Sequence, residues 1–181
     1  MKKKIPVLVL GLAILGCTLF SISTITAYLA DGDSARNAVI VGGNRIVIDE
    51  IYDPEPIIPG ESMVKQVRIK NTGPNACYVR VMAVFSDSDI GKYTQVDWNL
   101  TDWVYNAEDG YYYYKNILEH EETTSWLFTT LHFSEDLPEE MIKDVELIVY
   151  AESYQAEGHE HYKDAWTDYQ LNRNHREENN K

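Results

Sequence analysis

KDVELIVYAESYQAEG, residues 143–158, alternates long enough to be read as one strand and then stops at a glycine. Val145, Leu147, Val149 and Ala151 fall on one face, and Glu146, Ile148, Tyr150 and Glu152 on the other. A period of two with one apolar and one mixed face marks a half-buried strand, and its length suits a central position in a sheet. Past Gly158 the period changes. Tyr162, Ala165, Trp166 and Tyr169 follow i, i+3, i+4, i+7, which predicts a short amphipathic helix able to dock at the edge of the sheets. From Gln170 to Lys181 the chain is Asn-rich and charged, without apolar periodicity, the composition of a disordered polar tail.

Upstream, the same alternation recurs in short runs separated by turn formers. Ala38, Val39, Ile40 and Val41 form a short apolar stretch, and Gly42-Gly43-Asn44 joins it to Arg45–Ile51 in a predicted hairpin. Three prolines between Asp53 and Gly60 remove ladder donors and force a loop. Met63, Val67 and Ile69 share a face of the next strand, where Lys65 breaks the pattern and suggests a sheet edge or a strand end. Asn71-Thr72-Gly73-Pro74-Asn75 then turns the chain into a strand over Ala76–Phe85, with Cys77, Val79, Val81, Ala83 and Phe85 on one face. Trp98, Trp103 and Tyr105 precede a turn at 106–110, and Tyr111, Tyr112, Tyr113 and Tyr114 follow it. Alternation sends two of these four tyrosines to each face, so the run is a candidate set of contact aromatics as well as a source of cross-strand pairs. The segment 134–144, with Pro138, reads as a connector holding one helical turn.

Composition limits the function. The 181 residues carry a net charge of −13; without the three lysines of residues 1–30, which hold no acid, 13 basic residues face 29 acidic ones, a net of −16. Such a surface repels phosphate backbones, and nucleic acid is excluded as an expected partner. The length suits one domain, residues 31–169, with a real core.

The address lies in residues 1–30. Lys2, Lys3 and Lys4 precede an apolar run from Ile5 to Ile25, the pattern of a secretory signal helix, with Ala27 and Ala30 as candidate last residues before cleavage. The run is also about the ~20 residues that span a bilayer, so an uncleaved anchor competes with a cleaved signal; in either case membrane contact is confined to this segment. Cys17 lies inside it, leaving Cys77 unpaired in the exported chain, where it reads as a small buried hydrophobe.

Several blocks carry a likeness. AESYQAEG (151–158) with Ala165-Trp166 after it, PGESMVKQVRIKNTGPNACYVRV (59–81), DGYYYYKNILEHEETTSWLFTTLHF (109–133) and Thr26-Ala27-Tyr28-Leu29-Ala30-Asp31 together resemble the TasA/camelysin family of secreted proteins of Gram-positive bacteria. Ser125-Trp126 stands where the family has other residues before Leu127-Phe128-Thr129, and Ser23 and Thr24 stand where its signal usually has glycines. The resemblance spans about residues 24–168. It implies an all-β antiparallel sandwich of jelly-roll type with a short C-terminal helix, export with the signal peptidase SipW, and a place in the extracellular matrix or on the cell surface. It also implies assembly into biofilm-matrix fibres, one subunit's N-terminal strand completing a neighbour's sheet, with partners that are other copies of the chain or other matrix proteins. Ala38–Val41 is then the assembly arm, since a mobile strand upstream of a sheet is a natural donor to an open edge. A monomeric cell-surface module using exposed aromatics is the alternative.

Camelysin-type proteins have been classed as metallopeptidases, yet this chain has no H-E-x-x-H, the arrangement that brings two imidazoles and an activated water to zinc. His159 and His161, with Glu157 beside them, are the nearest metal candidates, and no third ligand is evident. Ser86-Asp87-Ser88-Asp89 alternates oxygens in the manner of a calcium loop but lacks the glycine and distal glutamate of one. No catalytic residue and no cofactor is nominated, and no G-x-S-x-G occurs.

Overall fold

In a computed structural model that describes residues 44–52, 56–142 and 146–179, eight strands and one long helix follow each other along the chain. They are β1 (Ile46–Tyr52), β2 (Ser62–Asn71), β3 (Cys77–Phe85), β4 (Thr94–Val96), β5 (Trp103–Asn106), β6 (Tyr111–Tyr114), β7 (Phe128–Phe133), β8 (Leu147–Gln155) and α1 (Tyr162–Asn179), with short 3-10 turns at Ile90–Tyr93 and Glu139–Met141. Ala27, Ala30, the arm Ala38–Val41 and Val145 lie outside the described residues.

The strands make two four-stranded sheets, in the orders β1-β2-β7-β4 and β5-β6-β3-β8, and every pairing is antiparallel. β-Branched and aromatic residues fill these segments, and the prolines stay between them, as pleated half-buried strands require. Both sheets supply one core. Val67, Ile69, Phe128 and Leu131 from the first meet Cys77, Val79, Val81, Tyr112, Val149 and Ala151 from the second, and Trp98 joins them by stacking on Tyr112 at 4.3 Å and edge-on to Phe128 at 5.1 Å. Eight strands in two sheets agree with the all-β expectation, and each strand face read from alternation in β2 and β3 points the way the sequence implies.

Three expectations are revised. β8 was expected at the centre of a sheet; among the described residues it pairs with β3 alone and forms the sheet's edge. Lys65 marks neither an edge nor a strand end, because β2 lies inside its sheet. The lysine is buried where the β2–β7 register shifts between Val64 and Val67, its ammonium bonded to Glu50 and set over the Tyr52 ring at 4.4 Å. Finally, α1 is not short, for it runs through the stretch from Gln170 to Asn179. Its first two turns dock, and the Asn172 amide donates to the Tyr154 hydroxyl at 3.3 Å, carrying the docking one turn past Tyr169. Asp164 in the first turn complements the helix dipole.

The turn after β2 shows how the sequence fixes a connection. Asn71 is fully buried, and its amide donates to the carbonyls of Asn75 and Leu118 at 2.8 and 3.0 Å while its oxygen accepts from Gly73 N–H at 2.9 Å. A Cβ on Gly73 would stand 2.7 Å from the Arg45 backbone nitrogen, so no larger residue fits where this turn crosses the start of β1.

Candidate functional site

The feature most available to a partner is the free edge of β8. Nine residues pair in unbroken register with β3, from Cys77↔Gln155 to Phe85↔Leu147, without a bulge. The residues of β8 include no proline and no lysine, and the single charge, Glu152, is buried on the outer face. These are the devices by which edges are normally blunted, and β8 lacks them. The other edges differ. β4 and β5 are three and four residues long, and β1 carries Asp49 and Glu50, tied to Arg68 and Lys65. β1 and β8 approach each other, so the two longest edges lie on the same side of the two sheets. Ile148 on β8 and its cross-strand partner Val84 are both exposed, giving this edge an apolar flank.

Behind the edge, the outer face of the second sheet is built around Arg80. On β3 the side chains of Tyr78 and Arg80 point away from the sandwich core and are nevertheless buried, because α1 lies over them. The Arg80 guanidinium donates to Glu152 Oε2 from Nε at 2.7 Å and lies 2.5 Å from it at Nη2, while Nη1 donates to the Tyr113 hydroxyl at 3.0 Å. Tyr150 donates to the other Glu152 oxygen at 2.9 Å, and the Tyr113 hydroxyl donates in turn to Asp109. Rings close around the cation: the guanidinium carbon stands 4.0 Å from the centroid of Tyr111, 4.3 Å from Trp166, 5.2 Å from Tyr169 and 5.7 Å from Tyr113, all within cation–π range. Burial opposes the charge, and the Glu152 carboxylate with its hydrogen bond, aided by Tyr113, outweighs that and holds Arg80 more basic than usual. A buried ion pair is tolerable where each remaining donor and acceptor has a partner, as it does here.

The four tyrosines are therefore mostly spent inside the protein. Tyr111 and Tyr113 face α1 and Arg80, whereas Tyr112 packs in the core and Tyr114 against Trp103 at 5.0 Å. Burial pushes the Tyr111 and Tyr112 hydroxyls up to about 12. Tyr105, stacked on Tyr112 at 4.8 Å, is the exposed aromatic of that hairpin, with 48% of its surface open.

His159 and His161 do not converge. His159 is partly buried, with Nε2 3.5 Å from Asp168 Oδ2 and Nδ1 without a partner, while His161 and Glu157 are exposed. Among the described residues no three His, Cys, Asp or Glu side chains are placed to hold a metal. In the Ser86–Asp89 loop, the Asp87 carboxylate accepts from Asp89 N–H at 2.8 Å, and Asp89 pairs with Lys92 at 2.5 Å. Cys77 is fully buried, and burial, aided by Glu119, pushes its thiol up to about 12. A cavity of about 210 Å³ beside Pro56, Ile58, Met63 and Phe133 carries no convergent polar groups.

Sequence reasoning missed the Arg80–Glu152 pair and its cage. Opposite charges on the outward faces of two long strands were the available signal, but the β3–β8 register that sets them face to face is not written in either strand alone. Compared with known proteins, the chain matches no family model, no curated protein and no solved structure.

Proposed function

We propose that the chain is an exported structural protein of the cell surface or extracellular matrix, a jelly-roll-type sandwich that associates with other copies of itself by adding a neighbour's strand to its sheet. The observation that carries this reading is the β8 edge: nine residues long, in continuous register and without the charges, prolines or bulges that block pairing. The donor is the stretch Ala38–Val41, uncharged and β-prone, upstream of β1 in the sequence. Each backbone hydrogen bond added at the edge contributes about 0.5–1.5 kcal/mol net, so a strand of several residues suffices for association at ordinary concentrations.

The likeness to TasA-type fibre subunits and the signal-like residues 1–30 support the same reading, including export with SipW and release at Ala27 or Ala30. Removal of the signal frees the arm to reach a neighbour, which makes cleavage the step that permits assembly. The alternative, a monomeric module binding through exposed aromatics, is weakened by the burial of Tyr112 and Tyr113, and a metallopeptidase by the dispersal of His159, His161 and Glu157. Two truncations decide between fibre and monomer. A chain beginning at Asp31 is expected to sediment as polymers, and one beginning at Gly42 to remain a folded monomer; equal polymerisation of the two removes the arm from the mechanism, and two monomers reject self-assembly.

A further inference from the structure

The cage around Arg80 has walls from two sources. Tyr111, Tyr113 and Glu152 belong to the sheet, whereas Trp166 and Tyr169 arrive on α1. Four observations separate the helix from the sheet it covers. Its docking is confined to a small set of residues, Tyr162, Ala165, Trp166 and Tyr169 in the aromatic cluster, plus Asp168 and Asn172 bonded to the Tyr154 hydroxyl at 2.7 and 3.3 Å. Leu171, just beyond, is exposed. The docked state leaves Trp166 Nε1 and His159 Nδ1 buried without hydrogen-bond partners, groups that water would satisfy once the helix lifts. The connector between β8 and α1 turns at Gly158, whose φ of +83° favours glycine and around which nothing lies within 4 Å of a Cβ position, leaving room for the turn to open.

None of the docking contacts requires that helix and sheet belong to the same chain. We propose that the outer face of the second sheet is an exchange site for α1, taking the Trp166–Tyr169 helix from its own chain or from a second copy. The docked helix itself defines the occupant: a Trp-x-x-Tyr turn that places two rings on a guanidinium already paired with a carboxylate. In a single chain the short connector keeps the local helix concentration high, so self-docking prevails in dilute solution. At the densities of an assembled polymer, reciprocal exchange between neighbours joins subunits through sheet faces rather than sheet edges, and a closed swap of this kind is two-fold and self-complementary. The exchange goes beyond strand addition and does not depend on it.

Shortening the connector separates the two. In the chain beginning at Asp31, deletion of Glu157 and Gly158 prevents the helix from reaching its own sheet, and light scattering is expected to show a stable dimer with its helical circular dichroism retained. Adding Trp166→Ala to the same variant is expected to abolish that dimer, whereas association through the arm and β8 is indifferent to Trp166. A deletion variant with no Trp166-dependent gain in mass overturns the exchange, whatever becomes of the arm. If the deletion prevents folding, Gly158→Ala at native connector length serves instead, since its positive φ strains the closed turn. After refolding at high concentration, it is expected to give a larger Trp166-dependent dimer fraction than the unsubstituted chain, and an equal fraction overturns the proposal.

Discussion

Cys77, Val79 and Val81 leave β3 toward one side and Tyr78 and Arg80 toward the other, and all five are buried. The inner face is covered by the first sheet and holds by aliphatic packing, which has no direction and tolerates changes of shape. The outer face is covered by a helix and holds by a caged ion pair, in which each member depends on the others. One strand thus serves two cores of opposite chemistry, and the outer one is the more brittle, because loss of one partner leaves a charge buried alone.

Arg80→Met breaks that comparison most severely. It leaves Glu152 without its counter-ion, and a cost of about 3–5 kcal/mol is expected in denaturant unfolding, against about 2 kcal/mol for Val81→Ala on the inner face. Converting Glu152 to Leu in the Arg80→Met background is expected to recover much of the loss, as an apolar pair replaces the ionic one. Equal costs for Arg80→Met and Val81→Ala, or no recovery in the double variant, would mean that the caged pair contributes nothing particular to the outer face.

Alkaline titration sharpens the contrast next. Burial raises Cys77 and Tyr112 on the inner side and Tyr111, Tyr113 and Tyr150 on the outer side, so the folded chain binds protons that the unfolded chain releases. Stability from these groups is complete below their ordinary values, 9.0 for the thiol and 10.0 for the phenols, and is lost as pH rises from there toward about 12. Thermal melts are expected to be level with respect to these groups up to about pH 9 and to fall beyond it. At pH 8 Cys77 should resist a thiol reagent until denaturant opens the fold; rapid modification of native protein would contradict its burial.

The smallest effect belongs to the histidines. Replacing His159 and His161 with alanine is expected to change stability by less than about 1 kcal/mol, since one contact to a partly exposed Asp168 is lost. The change should be the same with and without zinc, and a zinc-dependent stabilisation that the double variant abolishes would revive a metal site.

Much of the inner core was legible in the sequence because a period of two is a local property. Met63, Val67 and Ile69 in β2 and Cys77, Val79 and Val81 in β3 are buried as their alternation implies. The helix start was legible too, from the spacing of Tyr162, Ala165, Trp166 and Tyr169. What the sequence hid depends on distant partners. Lys65 looks like an edge signal until Glu50 and Tyr52 are placed beside it by the β1–β2 register. Tyr113 looks available for a ligand until Arg80 and Trp166 close over it, and β8 looks central because alternation records burial of faces and says nothing about the pairing of edges.

The open edge of β8 is the central claim, and amide hydrogen exchange on polymer and monomer tests it most directly. Assembly is expected to slow exchange in alternate residues of Leu147–Gln155, whose outward N–H groups gain acceptors from the added strand, and to leave β4 and β5 unchanged. Polymers in which the β8 amides exchange as fast as in the monomer would show that subunits meet elsewhere.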